Sequence, residues 1–229
     1  EHDYYEQSLY SADIILVNSH QHLLRAAFLK LFYPNKTFIH RIDGPINIAR
    51  KHGQLLDSYI SMHNKIYFDG TIFQSPWSKE QCFKSGYIDN GVSTVIINAS
   101  DNNIFNHRRL NSSSSLKIKL ISTSWSTNAT KGFSIYSYLD SNLNYDNYEY
   151  LFIGNSPIKF KNIKYIPAVD SDKLAEYLNN SDIYITASKN DPCSNSLIEA
   201  LTVGLPSVAL NSGGHPFIIG TNNGELFES

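Results

Sequence analysis

The sequence predicts an α/β protein made of two blocks of parallel sheet. Short apolar runs alternate with longer amphipathic stretches along the whole chain. The runs are apolar throughout rather than at every second residue, the pattern of parallel strands covered on both faces. A polar segment, 98–115, which includes Asn111-Ser112-Ser113-Ser114-Ser115, interrupts the alternation and reads as a linker. The domains expected are therefore 1–106 and 107–229, with no internal repeat of fixed period.

In the first block, Ile14 to Val17 reads as a buried strand. His20 to Phe32 reads as a helix with Leu23, Leu24, Ala27, Phe28 and Leu31 on its core face. Strand Thr37 to Ile42 and helix Gln54 to Ile66 follow. Strand Thr71 to Phe73 ends at Ser75, which caps a helix from Pro76 to Lys84; proline suits that first turn because it has no N–H to leave unpaired. Ser93 to Ile97 is the last strand of the block.

The second block opens with strand Leu116 to Ser122 and helix Lys131 to Leu139. Strands Tyr150 to Ile153 and Lys164 to Ile166, helix Ser171 to Leu178 and strand Asp182 to Thr186 come next. Helix Asn195 to Val203 is stopped by Gly204-Leu205-Pro206, and Ser207 to Leu210 returns to the sheet.

The chain has 229 residues, 41% hydrophobic and 17% charged, with a formal net charge of −2. A nucleic-acid binder would show a basic excess, which is missing here. Cys82 and Cys193 lie far apart and form no CxxC pair, so reduced thiols of a cytosolic protein are expected rather than a disulfide or metal scaffold. No apolar run reaches the length of a membrane span, and the opening Glu1-His2-Asp3 is not a signal peptide. With no starting Met, the true N-terminus is expected to lie upstream.

In open α/β sheets ligands bind at the carboxyl ends of the strands, so the loops after each strand are where chemistry is sought. The segment from Ala187 to Leu201 leaves a strand, crosses a polar loop and enters a helix that Ser194 is placed to cap. The backbone N–H groups of Asn195, Ser196 and Leu197 then point out of the first turn, where a phosphate is favoured by free donors and by the helix dipole. Helical spacing puts Ile198, Leu201 and Leu205 toward the core and Asn195, Glu199 and Thr202 on the opposite face. A carboxylate such as Glu199 accepts well from the paired hydroxyls of a ribose, and Asp191 in the loop could reach a sugar hydroxyl. Taken alone, these two acids also read as ordinary solvated carboxylates.

Ser124 to Phe133 likewise links a strand to a helix, and its Lys131 could neutralise a phosphate as a point charge; a plain surface lysine is the alternative. Gly213-Gly214 after a strand allows close backbone approach to a ligand, or is simply a turn. At the strand end His40-Arg41-Ile42-Asp43, Asp43 and His40 could contact a sugar and Arg41 a phosphate. Strand alternation puts His40 opposite Arg41, so a satisfied core histidine is an equal reading.

These segments, in this order and over nearly the whole chain, resemble the retaining glycosyltransferases of family four (glycosyl transferases group 1), of GT-B architecture with two Rossmann-like domains. "NDPCSNSLIEALTVGLPSVALNSGGHPF" resembles the family signature of a Glu, seven residues, a second Glu, a helix, Gly-x-Pro, a strand and Gly-Gly. "VIINASDNNIF" and "FDGTIFQSPWSKEQC" are similar to segments near the end of the first domain, and "STSWSTNATKGF" to the loop of the phosphate-binding lysine. The resemblance implies that Glu199 binds the nucleotide ribose, Asp191 the donor sugar and Lys131 the diphosphate. It puts the phosphates over the helix start at Ser194, Asn195, Ser196 and Leu197, with Trp125 nearby. Asp43, Gly213 and Gly214 fall beside the donor sugar.

The sequence departs from the family in four places. Asp191 replaces a Glu, and Asp43 a frequent His. Trp125 and Ser126 stand where an Arg is usual before the lysine, and Phe217 where an acid usually follows Gly-Gly-x-Pro. Both ends also fall inside the family's usual length, so an interior portion of a longer enzyme is expected.

The implied reaction is hexosyl transfer from a nucleoside diphosphate sugar to a saccharide or glycolipid acceptor with retention, in cell-surface polysaccharide synthesis. The donor is a substrate and no further cofactor is implied. No essential metal is expected, because the one Asp-x-Asp, Asp170-Ser171-Asp172, opens the helix read from Ser171 to Leu178. The family analogy places the protein in the cytoplasm and allows peripheral association with the inner membrane face. A nucleotide-sugar epimerase of the same architecture and a non-catalytic sugar-binding derivative are the competing readings.

Overall fold

A computed structural model describes residues 11–49, 53–107 and 116–228. The chain divides into two compact units, up to Ile97 and from Asn98. None of the described helices is long and apolar enough to cross a membrane.

The first unit holds a parallel sheet of β1 (Ile14–Asn18), β2 (Thr37–Ile42), β3 (Gly70–Phe73) and β4 (Ser93–Val95), paired in chain order. Between them run α1 (Leu23–Phe32), the short α2 (Ile46–Ala49), α3 (Gln54–Tyr67) and α4 (Pro76–Lys84). Ser75 caps α4 as expected, accepting the Ser78 N–H at 3.0 Å. The one-turn α2 has no sequence signal; Asp57 of α3 fixes it by accepting the N–H groups of Ile46 and Asn47.

With strands in chain order, right-handed crossovers bring the helices to one face of the sheet. That face carries Val17, Phe38, His40, Ile42 and Phe73, all buried. Ile14 and Leu16 alternate onto the other face and are exposed. The expectation of two covered faces thus fails for this sheet among the described residues. The core face of α1 is also rotated from the expected one. Leu23, Ala26 and Ala27 are buried, while Leu24, Phe28 and Leu31 are exposed, because the small alanines let the helix lie close on the sheet.

The second unit holds β5 (Ile118–Ser124), β6 (Tyr148–Gly154), β7 (Lys164–Ile166), β8 (Ile183–Thr186), β9 (Ser207–Leu210) and β10 (Gly224–Phe227). All are parallel, in the order β10-β9-β8-β5-β6-β7. The helices are α5 (Phe133–Asn142), α6 (Ser171–Asn179) and α7 (Asn195–Thr202). This sheet is covered on both faces. Ile121, Ile153, Leu174, Leu178, Leu197 and Ala200 form one core, and Leu120, Phe133, Tyr136, Tyr150 and Phe152 the other.

The division falls before residue 106 because Phe105 is buried in the α6–α7 core. Ser100 also donates to Thr202 at 2.7 Å, and His107 meets the Val203 carbonyl at 2.8 Å. Residues 98–106 are therefore part of the second unit and not linker, while 108–115, with the serine run, lie outside the described residues. Strand β10 had no sequence signal, being short and set among Gly and Asn.

Candidate functional site

The chain runs from β5 outward to β6 and β7, then crosses back to β8 on the other side of β5. This reversal opens a crevice at the carboxyl ends of β5 and β8, the usual ligand position in such sheets. A cavity of about 380 Å³ lies there. Thr123, Ser124, Trp125, Ser126 and Lys131 line it from β5 and its loop, and Thr186, Ser188, Asp191 and Cys193 from β8 and its loop. Ser194, Asn195, Ser196 and Glu199 come from the start of α7, and Tyr136 from α5.

Lys131 does not begin a helix as the sequence suggested. It ends a 3-10 turn, Ala129–Lys131, which Asn128 caps, and α5 starts only after Gly132. Gly132 adopts φ +79°, and a Cβ there would lie 2.2 Å from the Ala187 carbonyl oxygen. Only glycine satisfies both demands. The two loops are further joined by the Lys189 N–H, which donates to the Thr130 carbonyl at 2.7 Å, and by the Ala187 N–H, which donates to the Tyr136 hydroxyl at 3.0 Å. The ammonium of Lys131 lies 3.0 Å from Asp191 Oδ2, and the Ser188 hydroxyl donates to the same oxygen at 3.4 Å.

Ser194 stands at the cap position of α7 but makes no capping bond there. Its hydroxyl instead meets that of Ser196 at 3.2 Å. The first-turn N–H groups of α7 are thus not consumed by a side-chain cap, which leaves their donors and the helix dipole for an anion. Leu197 and Ala200, rather than Ile198, form the fully buried face of the helix. That rotation turns Glu199 into the cavity. Burial raises its carboxyl from 4.5 to about 7.

Lys131, Asp191, Glu199, Trp125, Ser194, Asn195 and Ser196 are therefore brought to one cavity. Leu197, Gly213 and Gly214 are not among its lining residues. The Leu197 side chain is core. The two glycines pack closely on the Asp191 loop. A Cβ on Gly214 would meet the Pro192 carbonyl oxygen at 2.2 Å, and the Gly214 N–H donates to the Asp191 carbonyl at 2.8 Å. Next to them, His215 is buried, with Nδ1 at 2.8 Å from the Leu210 carbonyl.

In the first unit, Asp43 is held by Arg41 at 3.3 Å and by a short hydrogen bond from Gln74. His40 is buried and fully engaged, with Nε2 at 2.7 Å from the Ser19 carbonyl and Nδ1 at 2.9 Å from Asn64 Oδ1. Its place is structural, and burial lowers its pKa, more than its hydrogen bonds raise it. The sequence reading missed the hydroxyl lining of the cavity: Thr123, Ser124, Ser126, Thr186 and Ser188. The signal was the unusual run Ser122-Thr123-Ser124-Trp125-Ser126 at a strand end.

A comparison of the sequence with curated proteins found no match. Residues 159–229 match the family model described as Glycosyl transferases group 1. Among solved structures, sucrose-phosphate synthase from Thermosynechococcus elongatus is similar at 16% identity and a TM-score of 0.73, over 96% of this chain and 61% of that one. HepE from Anabaena, in complex with UDP-glucose, is similar at 16% identity and a TM-score of 0.75, over 94% and 65%. The catalytic domain of starch synthase IV from Arabidopsis thaliana, bound to ADP and acarbose, is similar at 13% identity and a TM-score of 0.68, over 95% and 62%. The chain thus spans less than two thirds of each of these structures. Its two parallel sheets have the fold of the GT-B glycosyltransferases, and from residue 159 onward it carries the pattern of glycosyl transferases group 1.

Proposed function

We propose that the cavity of the second unit seats a nucleoside diphosphate sugar, and that the protein transfers the hexosyl group to a saccharide or glycolipid acceptor with retention. One observation carries the reading: Lys131, the start of α7 and Glu199 converge on a single cavity at the switch point of the sheet. Each suits a different part of the donor. The N–H groups at the start of α7 and the Lys131 ammonium face the diphosphate. Glu199 accepts from the ribose hydroxyls, and hydrogen bonds of that kind favour its ionised form against the burial that raises its pKa. Trp125 offers an exposed aromatic face beside the cavity. The similar structures in complex with UDP-glucose or bound to ADP are in keeping with such a ligand.

In the reaction the bond between the anomeric carbon and the phosphate oxygen breaks as the acceptor oxygen bonds to the same carbon, on the same face. The acceptor proton passes to the departing phosphate. Negative charge grows on the diphosphate, and the fixed donors of α7 together with Lys131 stabilise it more in the transition state than in the ground state. Nothing in this scheme requires an enzymic base. A role in cell-surface polysaccharide synthesis follows by family analogy.

A thermal-shift panel of nucleoside diphosphates and their sugars on the complete protein tests the binding step. One base should give a clear rise in melting temperature. No response to any of them would remove the reading. NMR of the product from a labelled donor then reports retention or inversion.

One observation favours a second reading, a module that binds the donor without turnover. Lys131 is the single cation among the described cavity residues, and it is already paired with Asp191. Saturable nucleotide-sugar binding with neither transfer nor hydrolysis would support that alternative.

A further inference from the structure

Asp191 and Lys131 pose a problem that their separate roles leave open. The ammonium expected to meet a diphosphate is held by a carboxylate 3.0 Å away. The two partners are not equally free. Asp191 is 14% exposed, its oxygen also accepts from Ser188, and its carbonyl is tied to the Gly214 N–H. Lys131 is 32% exposed and reaches the pair through a long flexible side chain. Gly213 and Gly214 press on the backbone of the Asp191 loop so closely that no Cβ fits, which fixes that loop in place. If the pair opens, the lysine is the part that swings. A diphosphate over the start of α7 would occupy the same cavity and carry more charge than one carboxylate.

We infer that Asp191 is a placeholder anion for the donor: it holds Lys131 in the empty site, and an arriving diphosphate displaces it and takes over the ammonium. This rests on the cavity being a nucleoside diphosphate site. Binding then includes opening an ion pair, so the carboxylate weakens affinity for the bare nucleotide. Once released, the Asp191 oxygens become free acceptors beside the diphosphate, where the sugar sits. The empty site keeps its one cation positioned and neutralised, and the sugar-binding acid is exposed only after the phosphates arrive.

The test is a double-mutant cycle read by calorimetry on the full chain, with the nucleoside diphosphate that most stabilises the wild type. Asp191→Asn keeps the shape and the Ser188 contact but gives up the strong hold on the ammonium. It should bind the bare nucleotide roughly 5- to 10-fold more tightly, the scale of a partly exposed ion pair. Lys131→Ala should bind more weakly, and adding Asp191→Asn to it should change nothing further. A gain that persists in the Lys131→Ala background would mean general charge repulsion and would overturn the placeholder. So would a single Asp191→Asn variant that binds no better than wild type. A wild type that binds no nucleoside diphosphate would instead refute the function on which the inference depends. Should Asp191→Asn not fold, a crystal structure of the wild type with the nucleotide decides: Lys131 still on Asp191 refutes the exchange, and Lys131 on phosphate supports it.

Discussion

Glu199→Gln separates a carboxylate kept for ligand binding from one that merely sits on a helix. Burial alone raises Glu199 from 4.5 to about 7, and no cation offsets that burial. The folded state therefore binds the proton more tightly than the unfolded chain. Stability from this group is greatest below pH 4.5, falls as pH rises toward 7, and is flat above. Each unit of pKa is worth about 1.4 kcal/mol, which over this shift sets a ceiling of about 3.4 kcal/mol. Solvent reaches the cavity, so screening reduces this to about 1–2 kcal/mol. Gln has the same shape and no charge to desolvate. Glu199→Gln should match the wild type near pH 4.5 and exceed it by that amount at pH 8, read as the difference between their urea unfolding curves. The same substitution should weaken nucleoside diphosphate binding at pH 8 by roughly tenfold, because hydrogen bonds to a charged acceptor are worth about 1.5–3 kcal/mol. A solvated carboxylate would give neither effect. A variant equal to or less stable than wild type at pH 8 refutes the claim that Glu199 is held against its own desolvation.

Nucleotide binding near pH 6 should release a proton from Glu199, since ribose hydroxyls favour the carboxylate that burial disfavours; calorimetry in buffers of different ionisation heat should show a release that Glu199→Gln lacks. Gly132→Ala should cost about 3 kcal/mol or more and lower the melting temperature by several degrees, because its φ of +79° and its approach to Ala187 both reject a side chain. Asp140 accepts the N–H groups of Lys161, Asn162 and Ile163, so Asp140→Ala should cost about 2–4 kcal/mol by chemical denaturation. Burial alone would raise this carboxyl, but the three donors outweigh it and hold it below its ordinary value, so its contribution is present at neutral pH and fades below pH 4.

Alternation of strands and helices was legible throughout. Segments such as Pro76–Lys84 and Ser207–Leu210 match the sequence expectation to the residue, because a capping Ser-Pro and a Gly-x-Pro stop are local signals. The convergence on the cavity was partly legible as well. The positions of Lys131, Asp191 and Glu199 after strands place them at the carboxyl edge, and only the crossover from β7 back to β8 decides which loops become neighbours. Helix rotation was not legible. For α1, the exposed Leu24, Phe28 and Leu31 are at least as apolar as the buried Leu23, Ala26 and Ala27, so apolar character alone does not fix which face meets the sheet. Nor could the sequence tell that Gly213 and Gly214 serve the backbone of Asp191, since a glycine pair looks the same whether it faces a ligand or another loop.

The union of the Lys131 and Asp191 loops through Gly132, Thr130 and Lys189 bears on engineering. Grafting a homologous loop after β5 without its companion after β8 would break a seam of backbone contacts, and the lysine would lose its bearing even if its identity were kept. Swaps meant to alter donor choice should therefore move both loops as one cassette, with residue 132 left untouched.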